Sequence, residues 1–124
     1  MISYDDFSKV EIRVGEILSA EKIPDTDKLL KLSVDFGLQT PAAPSDGAAV
    51  APPRDIRQIV SGIALYFPDP ITLVGKRCMF VTNLEPRVIR GFESNGMLFA
   101  VSTEDGKFSL LEPSADISPG TRAK

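Results

Sequence analysis

One run of residues constrains the fold of this chain more than any other: Leu30, Leu32, Val34 and Phe36 alternate with Lys31, Ser33 and Asp35. Period-two alternation sends successive side chains to opposite sides of an extended backbone, so this run is a β-strand with one buried face. Residues 12–18 alternate in the same way, with Gly15 placed to make a bend or bulge. Residues 57–63, 76–84, 97–102 and 107–111 add further short runs rich in β-formers. Turn signals separate them at Pro24-Asp25-Thr26-Asp27, Pro68-Asp69-Pro70 and Asp105-Gly106. Ser3 followed by Asp6 predicts one helical turn over about 4–9, and residues 71–73 form a second short turn before Gly75. The expected fold class is all-β. Short strands at near-regular spacing predict a closed or nearly closed barrel, with a small sandwich as the alternative.

Residues 38–53 read differently. LQTPAAPSDGAAVAPP carries four prolines and a single charge, Asp46, which suits neither a strand nor a helix. We expect an extended, mobile loop excursion that interrupts one domain spanning 1–124. No apolar run approaches the ~20 residues that a bilayer-spanning helix needs. The first ten residues lack the basic start and apolar stretch of an export signal, so a cytoplasmic location is expected.

The chain has no histidine and one cysteine. Within one chain this excludes a Ser-His-Asp triad, a Cys-His dyad, a Cys/His zinc cluster and a disulfide framework. No paired-carboxylate motif or phosphate-cradling glycine loop replaces them, so no catalysis, cofactor or metal is expected. Cys78 reads as a small buried hydrophobe.

A formal net charge of −3 argues against a nucleic-acid partner if it is spread evenly. It is not. Residues 76–91 hold Lys76, Arg77, Arg87 and Arg90 against Glu85 alone, and this is the positive part of an otherwise acidic chain. Remote acids are screened beyond about 8 Å at physiological salt, so a few converging cations suffice to hold a phosphate.

Three ordered strings carry a resemblance. The first is Asp6-Phe7-Ser8-Lys9-Val10-Glu11-Ile12-Arg13-Val14-Gly15-Glu16-Ile17. The second is Asp27-Lys28-Leu29-Leu30-Lys31-Leu32, continued by Arg57-Gln58-Ile59-Val60-Ser61-Gly62-Ile63. The third runs from Val74-Gly75-Lys76 through Asn83-Leu84-Glu85-Pro86-Arg87 and Arg90-Gly91 to Ser94-Asn95-Gly96-Met97-Leu98. Together they resemble the tRNA-binding domain found at the C-terminus of many methionyl-tRNA synthetases and as stand-alone dimeric proteins, with EMAP-type and secretion-chaperone branches.

That resemblance implies a five-stranded OB-fold barrel, usually a homodimer, that grips the outer corner of tRNA without reading an anticodon. It assigns Lys28 and Lys31 as phosphate contacts, with Ser61 nearby. It places Asn83, Arg87 and Arg90 in a basic loop, and Ser94 and Met97 in a Ser-x-Gly-Met string. Each residue also has an ordinary structural reading. Lys28 suits a solvated turn, Lys31 the outer face of a strand, Asn83 a turn cap and Met97 the core. Dimer contacts are expected from Tyr4, Phe7, Phe108, Leu110 and Leu111.

Val88 stands where the family usually has a third basic residue, which lowers the expected affinity. The function implied is a structure-specific, non-catalytic tRNA-binding module, free-standing or acting in trans with a methionyl-tRNA synthetase. The alternative is an export-type chaperone or another protein-interaction module of the same fold. The Asp-Lys-Leu-Leu-Lys-Leu string at 27–32, normally missing from the chaperone branch, favours RNA.

Overall fold

The computed structural model describes residues 1–38 and 54–124. Apart from Leu38, the excursion expected over 38–53 lies outside the described residues. A single helical turn, α1 (Tyr4–Phe7), opens the chain. Ser3 caps it through a 3.1 Å bond from the Asp6 amide to its hydroxyl, as the Ser3/Asp6 spacing predicts.

Five strands form one curled antiparallel sheet: β1 (Ile12–Lys22), β2 (Leu30–Leu38), β3 (Arg54–Ser61), β4 (Arg77–Val81) and β7 (Met97–Leu98), in the order β3-β2-β1-β4-β7. Two hairpins complete the chain: β5 (Arg87–Ile89) with β6 (Phe92–Ser94), and β8 (Ala100–Ser102) with β9 (Phe108–Leu110). The arrangement is an all-β, OB-like half-barrel.

The alternation in β2 has the expected result. Leu30, Leu32, Val34 and Phe36 are all within 1% of complete burial, while Lys31 and Ser33 remain partly exposed; Asp35, expected on that outer face, is instead buried, accepting from the Gly37 amide at 2.8 Å and pairing with Arg54 at 2.7 Å. The apolar residues meet Ile17, Ile59, Leu73, Cys78 and Phe80 in one core. Burial pushes the Cys78 thiol up to about 12, which fits a packing residue and leaves no thiolate at neutral pH.

Gly15 does not make the bulge. A register shift between Ile17 and Ser19 marks that irregularity, at Leu18. Gly15 instead makes room for the core. A Cβ there would sit 2.6 Å from Val34 Cγ1, 2.7 Å from Phe36 Cε1 and 2.9 Å from Phe80 Cδ1. Phe36 and Phe80 can therefore meet edge to face at 5.2 Å across the missing side chain.

β1 is long because it serves two neighbours in succession. Residues 12–16 pair with β4, and residues 16–22 pair with β2. The edge this leaves on Ile12 and Val14 is covered by the chain end. Val14 donates to Thr121 O at 2.9 Å, and Gly120 and Ala123 donate to Val14 O and Ile12 O at 2.7 and 2.8 Å.

Phe108 and Leu110 differ from the dimer expectation, because both are used inside the chain. Leu110 is buried in the core, and Phe108 stacks on Tyr66 with ring centroids 4.0 Å apart.

Candidate nucleic-acid interface

The segment from Arg87 to Ser94, read in sequence as a basic loop, is an ordered hairpin. Arg87 pairs with Ser94, Val88 with Glu93 and Ile89 with Phe92. Two residues, Arg90 and Gly91, make the connection with φ of 52° and 83°. Positive φ at both central positions is the type I′ geometry whose twist matches paired strands. Glycine suits the second position, and Arg90 takes the first, where asparagine or aspartate is usual.

Polar side chains lock this hairpin onto the barrel. Gln58 Nε2 donates to Glu93 O at 2.9 Å, and the Asn95 amide donates to Gln58 O at the same distance. Arg57 reaches from β3 to donate to Thr82 O at 2.5 Å and Asn95 O at 3.3 Å. The buried Ser94 hydroxyl accepts from the Val60 amide at 3.0 Å and donates to Gly96 O at 3.2 Å. Between β3 and β6 the seam is thus joined by side-chain bonds and one main-chain bond rather than by a regular ladder.

The eight residues singled out in the sequence fall into three groups. Ser61, Arg87, Ser94 and Met97 line one cleft of about 200 Å³ at this seam, together with Leu84, Glu85 and Ile89. Lys28 and Arg90 line a second, more open cleft of about 430 Å³ with Asp25, Thr26, Asp27 and Leu29. The hairpin separates the two clefts and contributes a cation to each.

Lys31 and Asn83 stand apart from both clefts and are already engaged. Lys31 lies 3.4 Å from Glu21, its cross-strand partner, and 5.2 Å from the centre of the Phe92 ring. It therefore props the hairpin from below. Asn83 Oδ1 accepts from the Glu11 amide at 2.7 Å, and its Nδ2 donates to Lys9 O at 2.6 Å. Both ends of that amide tie β4 to the N-terminal segment.

Charge availability also divides the positive segment. Lys76 sits 3.4 Å from Glu112, and Arg77 sits 3.0 Å from Glu16 and 2.6 Å from Asp116. Arg87 and Arg90 have no ion-pair partner among the described residues, and neither have Lys28 and Lys22. Sequence reasoning missed Lys22, whose signal was a cation closing β1 just before the Pro24 turn. It faces a cleft of about 310 Å³ with Thr26 and Asp27.

Four unneutralised cations around one hairpin and one turn can hold anionic oxygens. Glu85, Phe92, Arg57 and Gln58 were not singled out as site residues either. Of these, Arg57 and Gln58 hold the hairpin in place. Among the described residues no group of three or more Cys, Asp or Glu side chains is placed to hold a metal ion.

Comparison with known proteins gives the family. The family described as "Putative tRNA binding domain" matches residues 12–122. The chain is 46% identical over all 124 residues to part of a methionine–tRNA ligase of Methanoregula boonei, and 38% identical over 123 residues to part of the Bacteroides fragilis ligase. It spans 16% of the length of each of these relatives.

Among solved structures, a MetRS-related protein from Pyrococcus horikoshii superimposes with a TM-score of 0.79 at 39% identity, covering 100% of this chain and 98% of that one. A CsaA chaperone protein from Picrophilus torridus gives 0.76 at 28% identity, with both chains fully covered. A family match over nearly the whole barrel, joined to a seam and turn bearing unpaired cations, shows that the chain belongs to the tRNA-binding domain family.

Proposed function

We propose that this domain is a non-catalytic module that grips the folded shape of tRNA through its phosphate backbone, in the cytoplasm. It acts free-standing or in trans with a methionyl-tRNA synthetase. The observation that carries this reading is a set of four cations without an ion-pair partner among the described residues, Arg87 and Arg90 on the β5–β6 hairpin and Lys22 and Lys28 at the 24–27 turn, in a chain of net charge −3.

RNA recognised by shape is held mainly through phosphate and 2′-hydroxyl contacts, which need hydrogen-bond donors on the protein. In this reading Arg87, Arg90, Lys28 and Lys22 touch phosphates directly. Ser61 and Met97 present the cleft wall, while Lys31, Asn83 and Ser94 hold the surface in shape.

Titration of bulk tRNA at several salt concentrations tests the proposal. Each neutralised phosphate contributes about 0.7–0.9 to the slope of log affinity against log salt, so four cations predict a slope near ~3 in magnitude. Absence of salt-sensitive binding in the micromolar range overturns it.

The domain acts as a homodimer in this reading. Tyr4 is 80% exposed, and with Phe7, Val10, Ile12 and Ala123 it lines an apolar cleft of about 430 Å³ between the N-terminal turn and the chain end. A second copy burying this cleft removes apolar surface from water. A monomeric mass in sedimentation at tens of micromolar refutes the dimer without touching the RNA reading.

The same apolar cleft favours the second reading, a peptide-holding chaperone, to which the likeness to the CsaA protein also points. Suppression of aggregation that peptide competes away and tRNA does not reverses the order of the two.

A further inference from the structure

The cleft at the β3–β6 seam contains a group that phosphate binding does not explain. Glu85 lines it beside Arg87, yet the two form no ion pair, and Glu85 has no ion-pair partner among the described residues. A carboxylate in a cleft proposed to bind RNA disfavours the ligand unless the ligand brings donors to it.

Five apolar side chains share the walls with it: Val60, Leu84, Ile89, Met97 and Leu98. The volume of about 200 Å³ equals some seven waters at roughly 30 Å³ each, the scale of one flat heterocycle and far too small for a duplex. Methionine offers a polarizable surface for an aromatic ring, and Arg87 at the rim can meet the attached phosphate.

We infer that this cleft takes one unpaired guanine base of an RNA, with Glu85 accepting from its Watson–Crick edge. The proposal rests on the RNA-binding reading and deepens it. A carboxylate only accepts hydrogen bonds, and guanine alone among the four bases presents two adjacent donors, N1–H and the N2 amino group. Adenine and cytosine set a donor beside an acceptor, and uracil flanks its N3–H with two carbonyls. Any of these leaves a carboxylate oxygen facing a lone pair. Sequence is read on RNA where bases are unstacked and their edges open, which is the state a cleft of this size demands.

Single-stranded RNA pentamers of uridine with G, A, C or U at the centre, titrated by fluorescence anisotropy at low salt, test the inference. Wild-type protein is expected to prefer the guanine oligomer by roughly five- to a hundredfold, the discrimination of one bidentate pair. Glu85→Ala is expected to weaken binding of that oligomer and to strengthen binding of the other three, since a repulsive charge leaves.

Glu85 is exposed, so the variant keeps its fold, which an unchanged melting temperature verifies. Equal affinities in the wild type, or a uniform gain in the variant, overturn the guanine site and leave tRNA binding standing. Failure of the wild type to bind tRNA at all overturns the underlying reading instead.

Discussion

The two ends of the positive segment 76–91 carry the same formal charge and do different work. At its start, Lys76 and Arg77 are matched by Glu112, Glu16 and Asp116. At its end, Arg87 and Arg90 project from a hairpin with no acid within ion-pair distance among the described residues. One pair of cations is spent on joining β4 to β1 and to the C-terminal segment. The other is the pair that the proposed reading gives to the ligand. Net charge over a stretch of sequence therefore overstates the binding surface by half, and what matters is which cations the fold leaves without a partner.

The sharpest way to break this comparison is to remove each pair separately. Arg87→Ala with Arg90→Ala is expected to weaken tRNA binding roughly a hundredfold, at about tenfold per charge-assisted contact. The salt slope should fall by about 1.5. Arg77→Ala should lower the melting temperature and leave tRNA affinity within about twofold of wild type. Gel-shift titration and thermal melting measure both. Equal loss of affinity from the two ends would show that charge counting alone was sufficient.

Ser94 tests whether the surface depends on its support. Its hydroxyl bonds the Val60 amide at 3.0 Å and Gly96 O at 3.2 Å in a nearly closed environment. Ser94→Ala leaves a buried amide without an acceptor, which costs about 1–3 kcal/mol of stability in urea unfolding. RNA affinity should fall only several-fold, because no charge is lost. A loss of affinity as large as that of the arginine pair, at unchanged stability, would mean that Ser94 touches RNA directly.

How much of this was legible beforehand follows from the range of each interaction. The β2 alternation is local, and Leu30 to Val34 with Phe36 fold as the pattern dictates, whereas Asp35 is buried with Arg54, a partner 19 residues away. The Ser3 cap and the Asp105-Gly106 turn are equally local, and Gly106 takes the positive φ of 93° that a glycine turn needs.

The β5–β6 hairpin was not legible. Arg90 occupies a left-handed position without being asparagine, aspartate or glycine, so the usual turn signal is missing. The engagement of Lys76 and Arg77 was hidden for a different reason, since their partners lie 36 to 61 residues away in the chain. Asn83 has the same problem, bonding backbone groups 72 and 74 residues earlier. A site that is assembled from the ends of distant strands can be named from sequence, but its occupied members cannot be told from its vacant ones.

Val88 sharpens the comparison from the other side. It is 73% exposed in the hairpin, at the position where the resemblance implies a cation. Val88→Lys adds a charge opposite Glu93, its cross-strand neighbour in the hairpin. It should steepen the salt slope by up to about one and tighten tRNA binding a few-fold at low salt, with thermal stability unchanged or slightly raised. An unaltered slope would place the RNA on the opposite face of the hairpin, the side carrying Arg87 and Ile89.

The smallest expected effect belongs to a region where charges are balanced and no ligand is involved. Glu11 accepts from the Thr82 hydroxyl at 2.7 Å and from Arg13 Nε at 2.7 Å, with Arg122 also nearby. The Thr82 bond, aided by the Arg13 bond and charge, holds the carboxyl below its ordinary value of 4.5 despite partial desolvation. The ionised form is thus favoured more in the folded chain than in the unfolded one. Its stabilisation is fully present above about pH 4.5 and disappears as pH falls through the lower folded value. Urea midpoints between pH 6 and pH 3 should decline, and Glu11→Gln should flatten part of that decline while leaving tRNA affinity at neutral pH unchanged. A parallel decline in the variant would assign the acid sensitivity to other carboxylates and reduce Glu11 to a packing partner of Thr82.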